Sequence, residues 1–100
     1  MKVNTVARGC DVPEYVIKRA DRKIGKLVRF DPRLTSAEVV FRVERHVHRV
    51  EAFLSLNGHE PVVARGEARD FATALDQVAD RLSKILRRGR TQQVEHWAGR

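Results

Sequence analysis

The first third of the chain has the pattern of a strand followed by a helix. Residues 2–8 form a short run rich in valine and threonine, which predicts a first strand. The apolar positions that follow have the helical period of about 3.6 residues. Asp11 and Glu14 have the spacing of a capping box, and Pro13 suits the first helical turn. We predict a helix that Asp11 caps and that stops at the Asp-Pro pair at 31–32.

The middle of the chain alternates between apolar and polar residues, which is typical of strands with one buried face. The alternation runs over residues 37–44, resumes over 50–56 and returns over 59–66. Asn57-Gly58 lies between the second and third runs and is a strong hairpin signal. Pro61 has no N–H to donate to a neighbouring strand, so the last strand is predicted to lie at a sheet edge or to begin at this residue.

A second amphipathic helix is predicted over residues 71–88, with Asp70 as its N-cap. Gly89 is a natural stop for this helix. Residues 89–100 are then expected to form a basic, mobile C-terminal tail that Trp97 could anchor.

These elements have the order β-α-β-β-β-α and predict an α+β fold in two layers. The strands form one four-stranded sheet, and both helices bury their apolar stripes on the same face of it. A chain of 100 residues with 42% hydrophobic content suits one compact domain, so residues 1–88 are predicted to be a single domain. This size excludes a multidomain enzyme.

The cysteine content and the apolar runs indicate a compartment. Cys10 is the only cysteine, so no disulfide forms within the chain, which fits a reducing environment. No apolar run approaches the roughly 18 residues that a membrane span requires, and the N-terminus lacks the apolar stretch of a secretory signal. We therefore expect a cytoplasmic protein with no membrane partner.

Basic residues outnumber acidic ones, and each helix carries them on one side. The chain has 20 Lys and Arg against 13 Asp and Glu, a net charge of +7 and a pI of about 10.5, which indicates a polyanionic partner. The cations of the first helix lie between roughly 200° and 340° on a wheel that starts at Val16, and they are Lys18, Arg19, Arg22, Lys23, Lys26 and Arg29. Those of the second helix lie between roughly 220° and 280° from Phe71, and they are Arg81, Lys84 and Arg88.

Because both helices lie on one sheet face, their cations are predicted to form a single ridge. Surface helices usually interleave the two signs of charge, and this segregation favours a nucleic-acid contact through phosphates. Such binding is steeply salt-dependent. The alternative is a solvated basic face in a protein that is cationic for other reasons.

Other side chains that could carry chemistry do not form a site in the sequence. His46 and His48 are predicted in the loop that joins two strands, without a Cys, Asp or Glu at ligand spacing, so no metal site is expected. Asp76 and Asp80 are helical neighbours that can pair with Arg or Lys on adjacent turns. No phosphate-binding glycine loop, nucleophile elbow or catalytic carboxylate pair is present. We predict no enzymatic activity, no cofactor and no small-molecule substrate.

Several short stretches, in a specific order and spacing, resemble one known family. The match covers nearly all of residues 2–88, and its stretches are Gly25-Lys26-Leu27, Arg29-Phe30, Ala37-Glu38-Val39-Val40, Val50-Glu51-Ala52, Leu56-Asn57-Gly58-His59, Asp70-Phe71-Ala72-Thr73-Ala74-Leu75-Asp76, Asp80-Arg81-Leu82 and Leu86-Arg87-Arg88. The sequence resembles the ribosome hibernation promoting factors, which include the ribosome-associated inhibitor called protein Y and were earlier labelled sigma-54 modulation proteins.

The resemblance implies a fold similar to double-stranded-RNA-binding domains and reversible inhibition of translation. It implies binding to the small ribosomal subunit in the cleft between head and body, where mRNA and tRNAs would otherwise lie. It assigns contacts with rRNA phosphates to Lys23, Lys26, Arg29, Arg81, Lys84, Arg87 and Arg88. With Arg19 and Arg22 from the charge pattern, these are the predicted rRNA-binding residues. The free protein is expected to be monomeric.

Two other functions stay open at this point. A general module for RNA duplexes would share the topology and the basic helices but would recognise duplex shape anywhere. A small phosphatase-like enzyme on a ferredoxin-like fold fits the size and charge, although the sequence lacks that fold's final strand and a phosphate-binding glycine loop.

Overall fold

The computed structural model describes the backbone of residues 1–98 and the side chains of residues 1–89. The elements in chain order are β1 (Lys2–Arg8), α1 (Glu14–Gly25), a 3-10 segment (Lys26–Arg29), β2 (Leu34–Glu44), β3 (Val47–Leu56), β4 (Val62–Ala68) and α2 (Phe71–Ala98). The four strands form one sheet in the order β1-β2-β3-β4, parallel between β1 and β2 and antiparallel elsewhere. The predicted element order is therefore confirmed.

Both helices pack on one face of the sheet and build a single core with it. Ala37 and Val39 of β2, which pair with Leu54 and Ala52 of β3, point into this core. The helices contribute Val16, Ala20, Ile24, Leu27, Phe71, Ala74, Leu75, Val78, Leu82 and Leu86. No helix within residues 1–98 covers the other sheet face, so the two-layer α+β architecture is confirmed.

The start of α1 differs from the prediction. Asp11 does not cap the helix, and α1 begins at Glu14 with Pro13 as the N-cap residue and no side-chain cap. The carbonyl of Pro13 accepts hydrogen bonds from the N–H groups of Val16 at 3.0 Å and Ile17 at 3.3 Å. Proline suits this position because its extended ψ of 143° leads into the helix. Proline also has no backbone N–H, and an N–H at this position would have no acceptor within the helix.

The end of α1 also comes earlier than predicted. The α-helix ends at Gly25, and the 3-10 segment carries the chain to Arg29. The turn that follows is organised by Asp31, whose buried carboxylate accepts hydrogen bonds from Arg33 Nε at 3.0 Å and Nη2 at 2.7 Å. This turn lets β2 begin at Leu34 rather than at Ala37.

The connection between β2 and β3 is shorter than the sequence suggested. It consists of Arg45 and His46 alone, both with positive φ, and the strand pairing reaches Glu44 and Val47 on either side. The prediction that His48 lies in a loop is wrong. His48 is in β3, where its ring packs edge-on against Phe71 with a centroid distance of 4.6 Å.

The hairpin signalled by Asn57-Gly58 is confirmed, but its loop spans residues 57–61 rather than two residues. Gly58 has φ +70°, and the N–H of His59 bonds the carbonyl of Leu56 at 3.3 Å. Pro61 precedes β4, which is an edge strand as predicted.

The second helix begins as predicted and extends further. Asp70 caps it through hydrogen bonds from the N–H of Thr73 at 2.8 Å and its hydroxyl at 2.9 Å. Gly89 does not end α2, which continues to Ala98. The mobility of residues 89–100 and the anchoring role of Trp97 stay predictions, because the structure does not describe side chains beyond residue 89.

Candidate nucleic-acid interface

The outward side of α1 and the 3-10 segment carries cations that are free to meet an anion. The apolar side of α1 is buried against the sheet, which leaves Arg22, Lys26 and Arg29 exposed. None of these three forms an ion pair within residues 1–89. A phosphate that contacts them displaces water and counterions and breaks no internal bond. We call these three residues the helix-face site.

Two predicted binding residues of α1 are engaged by a carboxylate of α2 instead. Arg19 Nε and Nη2 donate to Asp76 Oδ1 and Oδ2 at 2.9 and 2.8 Å, in a bidentate arrangement. Lys23 Nζ lies 2.8 Å from Asp76 Oδ1. The hydrogen bond from Arg19, with the added contact from Lys23, lowers the pKa of Asp76 from 3.8 to about 2. The same bond raises the pKa of Arg19. This ion-pair cluster joins the two helices.

Within residues 71–89, the cations of α2 lie mostly on its other flank, beside the edge strand β4. Arg81, Lys84 and Arg88 line an open groove of about 580 Å³ together with Arg65, Val63, Ala64 and Ile85. Val63 and Ile85 are each about 40% exposed and give the groove an apolar floor. Lys84 also pairs with Asp80 at 3.1 Å, as the sequence predicted for neighbouring helical turns. We call this feature the β4 groove.

Side chains of α2 also close part of the free edge of β4. Arg81 donates a hydrogen bond to the carbonyl of Arg65, and the N–H of Glu67 donates to Gln77 Oε1 at 3.1 Å. An edge strand exposes backbone groups that invite pairing with another chain. Arg81 therefore protects this edge in addition to contributing its charge to the β4 groove.

The last predicted binding residue of α2, Arg87, is placed near the end of α1. Its guanidinium lies over the ring of Phe30 at 5.5 Å from the centroid, and its Nε donates to the carbonyl of Ser83 at 3.4 Å. Phe30 directly follows the 3-10 segment. Among the α2 cations whose side chains are described, Arg87 therefore lies on the same side as Lys26 and Arg29.

The predicted single ridge is thus divided. Asp76 of α2 faces α1. Arg81 is five residues further along the same helix, which turns its side chain by about 140° relative to Asp76, so Arg81 faces β4. The helix α2 itself separates the β4 groove from the helix-face site. Sequence periodicity placed the cations of the two basic helix sides outside the core, but it contained no information about which neighbour flanks α2 on each side.

Two contributors were missed by the sequence reasoning. Arg65 was not among the predicted binding residues, although its position on an edge strand beside a basic helix is a signal that it could join a groove. Asp76 was expected to pair along its own helix, and no local pattern indicates its contacts with Arg19 and Lys23 across the helix interface.

Within residues 1–89, no group of three or more His, Cys, Asp or Glu side chains is arranged to hold a metal ion. Among the described helices, none is both long enough and apolar enough to cross a membrane.

Comparison with known families identifies the relatives of this chain. Residues 3–94 match the family described as Sigma 54 modulation protein / S30EA ribosomal protein. The chain belongs to this family. The resemblance stated from the sequence is therefore confirmed for nearly the whole length of the S30EA-family domain.

Similar proteins and structures agree with this membership. The protein of Azotobacter vinelandii named Ribosome hibernation promoting factor is 34% identical over 99 residues, which cover 99% of this S30EA-family chain and 92% of that protein. The protein of the same name from Escherichia coli strain K12 is 27% identical over 96 residues, which cover 96% of this chain and all of that one.

Two solved structures have the same fold. A ribosomal subunit interface protein from Coxiella burnetii superimposes with a TM-score of 0.82 at 16% identity, covering 91% of this chain and 99% of that one. The N-terminal domain of Thermus thermophilus Protein Y superimposes with a TM-score of 0.77 at 23% identity, covering 88% and 98%. At these identities the likeness concerns the fold.

The low pKa of Asp76 predicts how its ion pairs depend on pH. The carboxylate ionises more easily in the folded state, with a pKa of about 2 against 3.8, so its contribution is present above 3.8 and is lost as pH falls towards 2. Because the Asp76 side chain is 38% exposed, water screens the pairs. We expect Asp76→Asn to lower the free energy of unfolding by about 1 kcal/mol at neutral pH and by almost nothing near pH 2. Urea unfolding at several pH values measures this difference.

Asp80→Asn is the matched control, because Asp80 pairs with Lys84 on the exposed surface of a single helix. Its expected cost is about 0.3 to 0.5 kcal/mol. A loss for Asp76→Asn that is equally large near pH 2 and at neutral pH would contradict the proposed ion-pair origin.

Proposed function

We propose that this chain is a ribosome hibernation factor that binds small-subunit rRNA and reversibly blocks translation by occupying the channel for mRNA and tRNAs. The observation that carries the proposal is the helix-face site, whose exposed cations have no internal carboxylate partner within residues 1–89. Family membership and the names of the relatives support the ribosome as the target. The protein is expected to act in the cytoplasm as a monomer.

Binding is proposed to come mainly from phosphates. Arg22, Lys26 and Arg29 of the helix-face site, with Arg81 and Arg88 of the β4 groove, provide cations that form no ion pair within residues 1–89. Each phosphate contact contributes roughly 0.7 to 0.9 to the slope of log affinity against log salt, so five contacts correspond to a slope of about 4. Such contacts position the protein on folded rRNA without reading its sequence.

The proposed inhibition is steric and involves no chemical reaction. A folded domain that fills the channel excludes mRNA and tRNA by volume, and the ribosome regains activity once the protein dissociates. Phosphate contacts suit a reversible inhibitor because affinity that arises from counterion release responds strongly to ionic conditions and to competing polyanions.

The test is translation of a reporter in a cell-free extract, followed by gradient sedimentation. Stoichiometric protein is expected to suppress synthesis and to sediment with small subunits, and high salt is expected to release it and restore synthesis. Small subunits loaded beforehand with mRNA and tRNA are expected to bind the protein much more weakly. Equal binding to loaded and empty subunits would contradict occupation of the channel.

A naked RNA duplex added as a competitor separates this function from general duplex binding. A duplex in moderate excess is expected to displace the protein poorly, since the proposed site is formed by folded rRNA in the ribosome. Efficient displacement would instead favour a general duplex-binding module, which recognises shape wherever it occurs.

A further inference from the structure

One end of the outer sheet face, opposite the helices, carries a row of arginines. Arg8 of β1 is the register partner of Arg42 in β2, and Arg42 is the partner of Arg49 in β3. All three side chains are exposed, and their backbones are about 5 Å apart from one strand to the next. Like charges directly opposite each other destabilise a sheet. The row therefore has an electrostatic cost that the fold itself does not require.

Carboxylates neutralise only one member of the row. Arg49 pairs with Glu44 at 3.0 Å and with Glu67 at 3.4 Å. In the part of the chain whose side chains are described, Arg8 and Arg42 have no ion pair. Two adjacent guanidinium groups are thus left facing solvent at this end of the sheet.

The turn beside the row adds a further cation in a strained backbone. Arg45 and His46 form the two-residue connection between β2 and β3, with φ angles of 51° and 67°. Turns with two positive φ angles favour Asn and Gly, because longer side chains strain the backbone there. Residues with strained backbone angles cluster at functional sites such as ligand-binding sites. Arg45 is exposed and also lacks an ion pair within residues 1–89.

From these observations we propose that Arg8, Arg42, Arg45 and Arg49, the sheet-end cluster, are a second binding site for RNA phosphates. The cluster lies on the opposite side of the core from the helix-face site, so one molecule contacts two RNA segments at once, one on each side. This proposal rests on the proposed function only in taking RNA as the ligand. It assigns binding to residues that neither the charge pattern of the helices nor the β4 groove includes.

Phosphate is the ligand that the cluster fits best. Guanidinium groups donate hydrogen bonds in a planar fork that matches phosphate oxygens, and arginine is the residue that most favours such contacts. Protein interfaces instead have a desolvated centre of aromatic and apolar side chains. The row has no aromatic member, and Phe53, opposite Glu38, lies four residue pairs along the ladder from the pair of Arg42 and Arg49.

The experiment compares Arg8→Gln/Arg42→Gln with a control of equal charge change, Lys2→Gln/Lys18→Gln. Lys2 is exposed at the far end of β1. Lys18 lies on the basic side of α1, but it pairs with Glu14 and belongs neither to the predicted rRNA-binding residues nor to the helix-face site. Binding to small ribosomal subunits is measured over a range of salt concentrations. The cluster variant is expected to bind roughly 10-fold more weakly at physiological salt, with a slope smaller by about 1.5. The control is expected to stay close to the wild type.

Arg45→Asn separates binding from folding, since asparagine tolerates the left-handed backbone better than arginine. We expect this variant to unfold at a higher urea concentration than the wild type and yet to bind small subunits several-fold more weakly. Stability that rises while binding is unchanged would count against a role for Arg45 in RNA contact.

Failure of this inference is distinguishable from failure of the proposed function. If charge reversal in the helix-face site abolishes binding while Arg8→Gln/Arg42→Gln matches its control, the sheet-end cluster is not a binding site and the proposed function stands. If both sets of variants bind like the wild type, phosphate binding by this domain is itself refuted. A urea-unfolding midpoint at or above that of the wild type verifies that Arg8→Gln/Arg42→Gln is folded.

Discussion

Reversing two charges of the helix-face site, in Arg22→Glu/Lys26→Glu, is expected to abolish binding to small ribosomal subunits. Both side chains are exposed and unpaired within residues 1–89, so their replacement disturbs no internal contact. A charge-assisted hydrogen bond contributes roughly 1.5 to 3 kcal/mol. Loss of two such contacts, with repulsion added, corresponds to a decrease in affinity of roughly 100-fold or more. Co-sedimentation with small subunits at physiological salt measures this effect.

The structure shows which cations can be replaced without disturbing an ion pair between the two helices. Lys23→Glu would place a second carboxylate beside Asp76 and confuse binding with folding, because Lys23 Nζ is 2.8 Å from that carboxylate. Lys2→Glu/Lys18→Glu changes the net charge equally and is the control, with a much smaller expected effect. Similar losses in both double variants would mean that total charge, rather than the helix-face site, controls binding.

Gly66→Ala is expected to destabilise the fold by about 2 to 3 kcal/mol. A Cβ atom at Gly66 of β4 would lie 2.5 Å from the backbone carbonyl oxygen of Ala74 and 3.0 Å from Val78 Cγ2. The carbonyl belongs to α2 and cannot move independently, so the helix must shift away from the sheet. Urea unfolding measures the loss, and a lower midpoint with an unchanged slope would show that the same native fold unfolds.

Gly25→Ala is the matched control for this substitution. Its Cβ atom has no neighbour within 4 Å, and Gly25 is the last residue of α1. We expect it to be neutral or to stabilise the protein by up to about 1 kcal/mol, since alanine favours helical backbone. Equal unfolding midpoints for the two variants would show that α2 does not press on β4 at Gly66.

The close contact between α2 and β4 at Gly66 affects both the stability of the fold and the geometry of the β4 groove. It positions α2 against β4, where Gln77 and Arg81 reach the free edge of the strand and the β4 groove forms. We therefore expect variants that move α2 away from β4 to disturb the β4 groove before they disturb the helix-face site, which belongs to α1 and the 3-10 segment.

The pattern of apolar and polar residues was sufficient to predict the type of each helix and strand, but it was not sufficient to predict where each one begins and ends. The alternation in β2 and β3 and the apolar stripe of α2 predicted the right element types because side-chain burial repeats with the geometry of the backbone. Helix and strand ends depend on single hydrogen bonds and on the pairing partner. This is why Asp11 was wrongly taken as a cap, and why His48 was wrongly assigned to a loop that the pairing of β2 with β3 reduces to two residues.

By itself the sequence determined the element order, the two-layer α+β class, the family and the outward position of the helix cations. The element order, the fold class and the position of the cations depend on which residues are apolar and how they are spaced, whereas the family was indicated by the resemblance of several short stretches. Only the tertiary structure decided that Asp76 binds Arg19 and Lys23, that α2 separates two basic areas, and that three strands align the arginines of the sheet-end cluster. The physical reason is that charge interactions depend on distances between elements, and packing sets those distances after the pattern has set the elements.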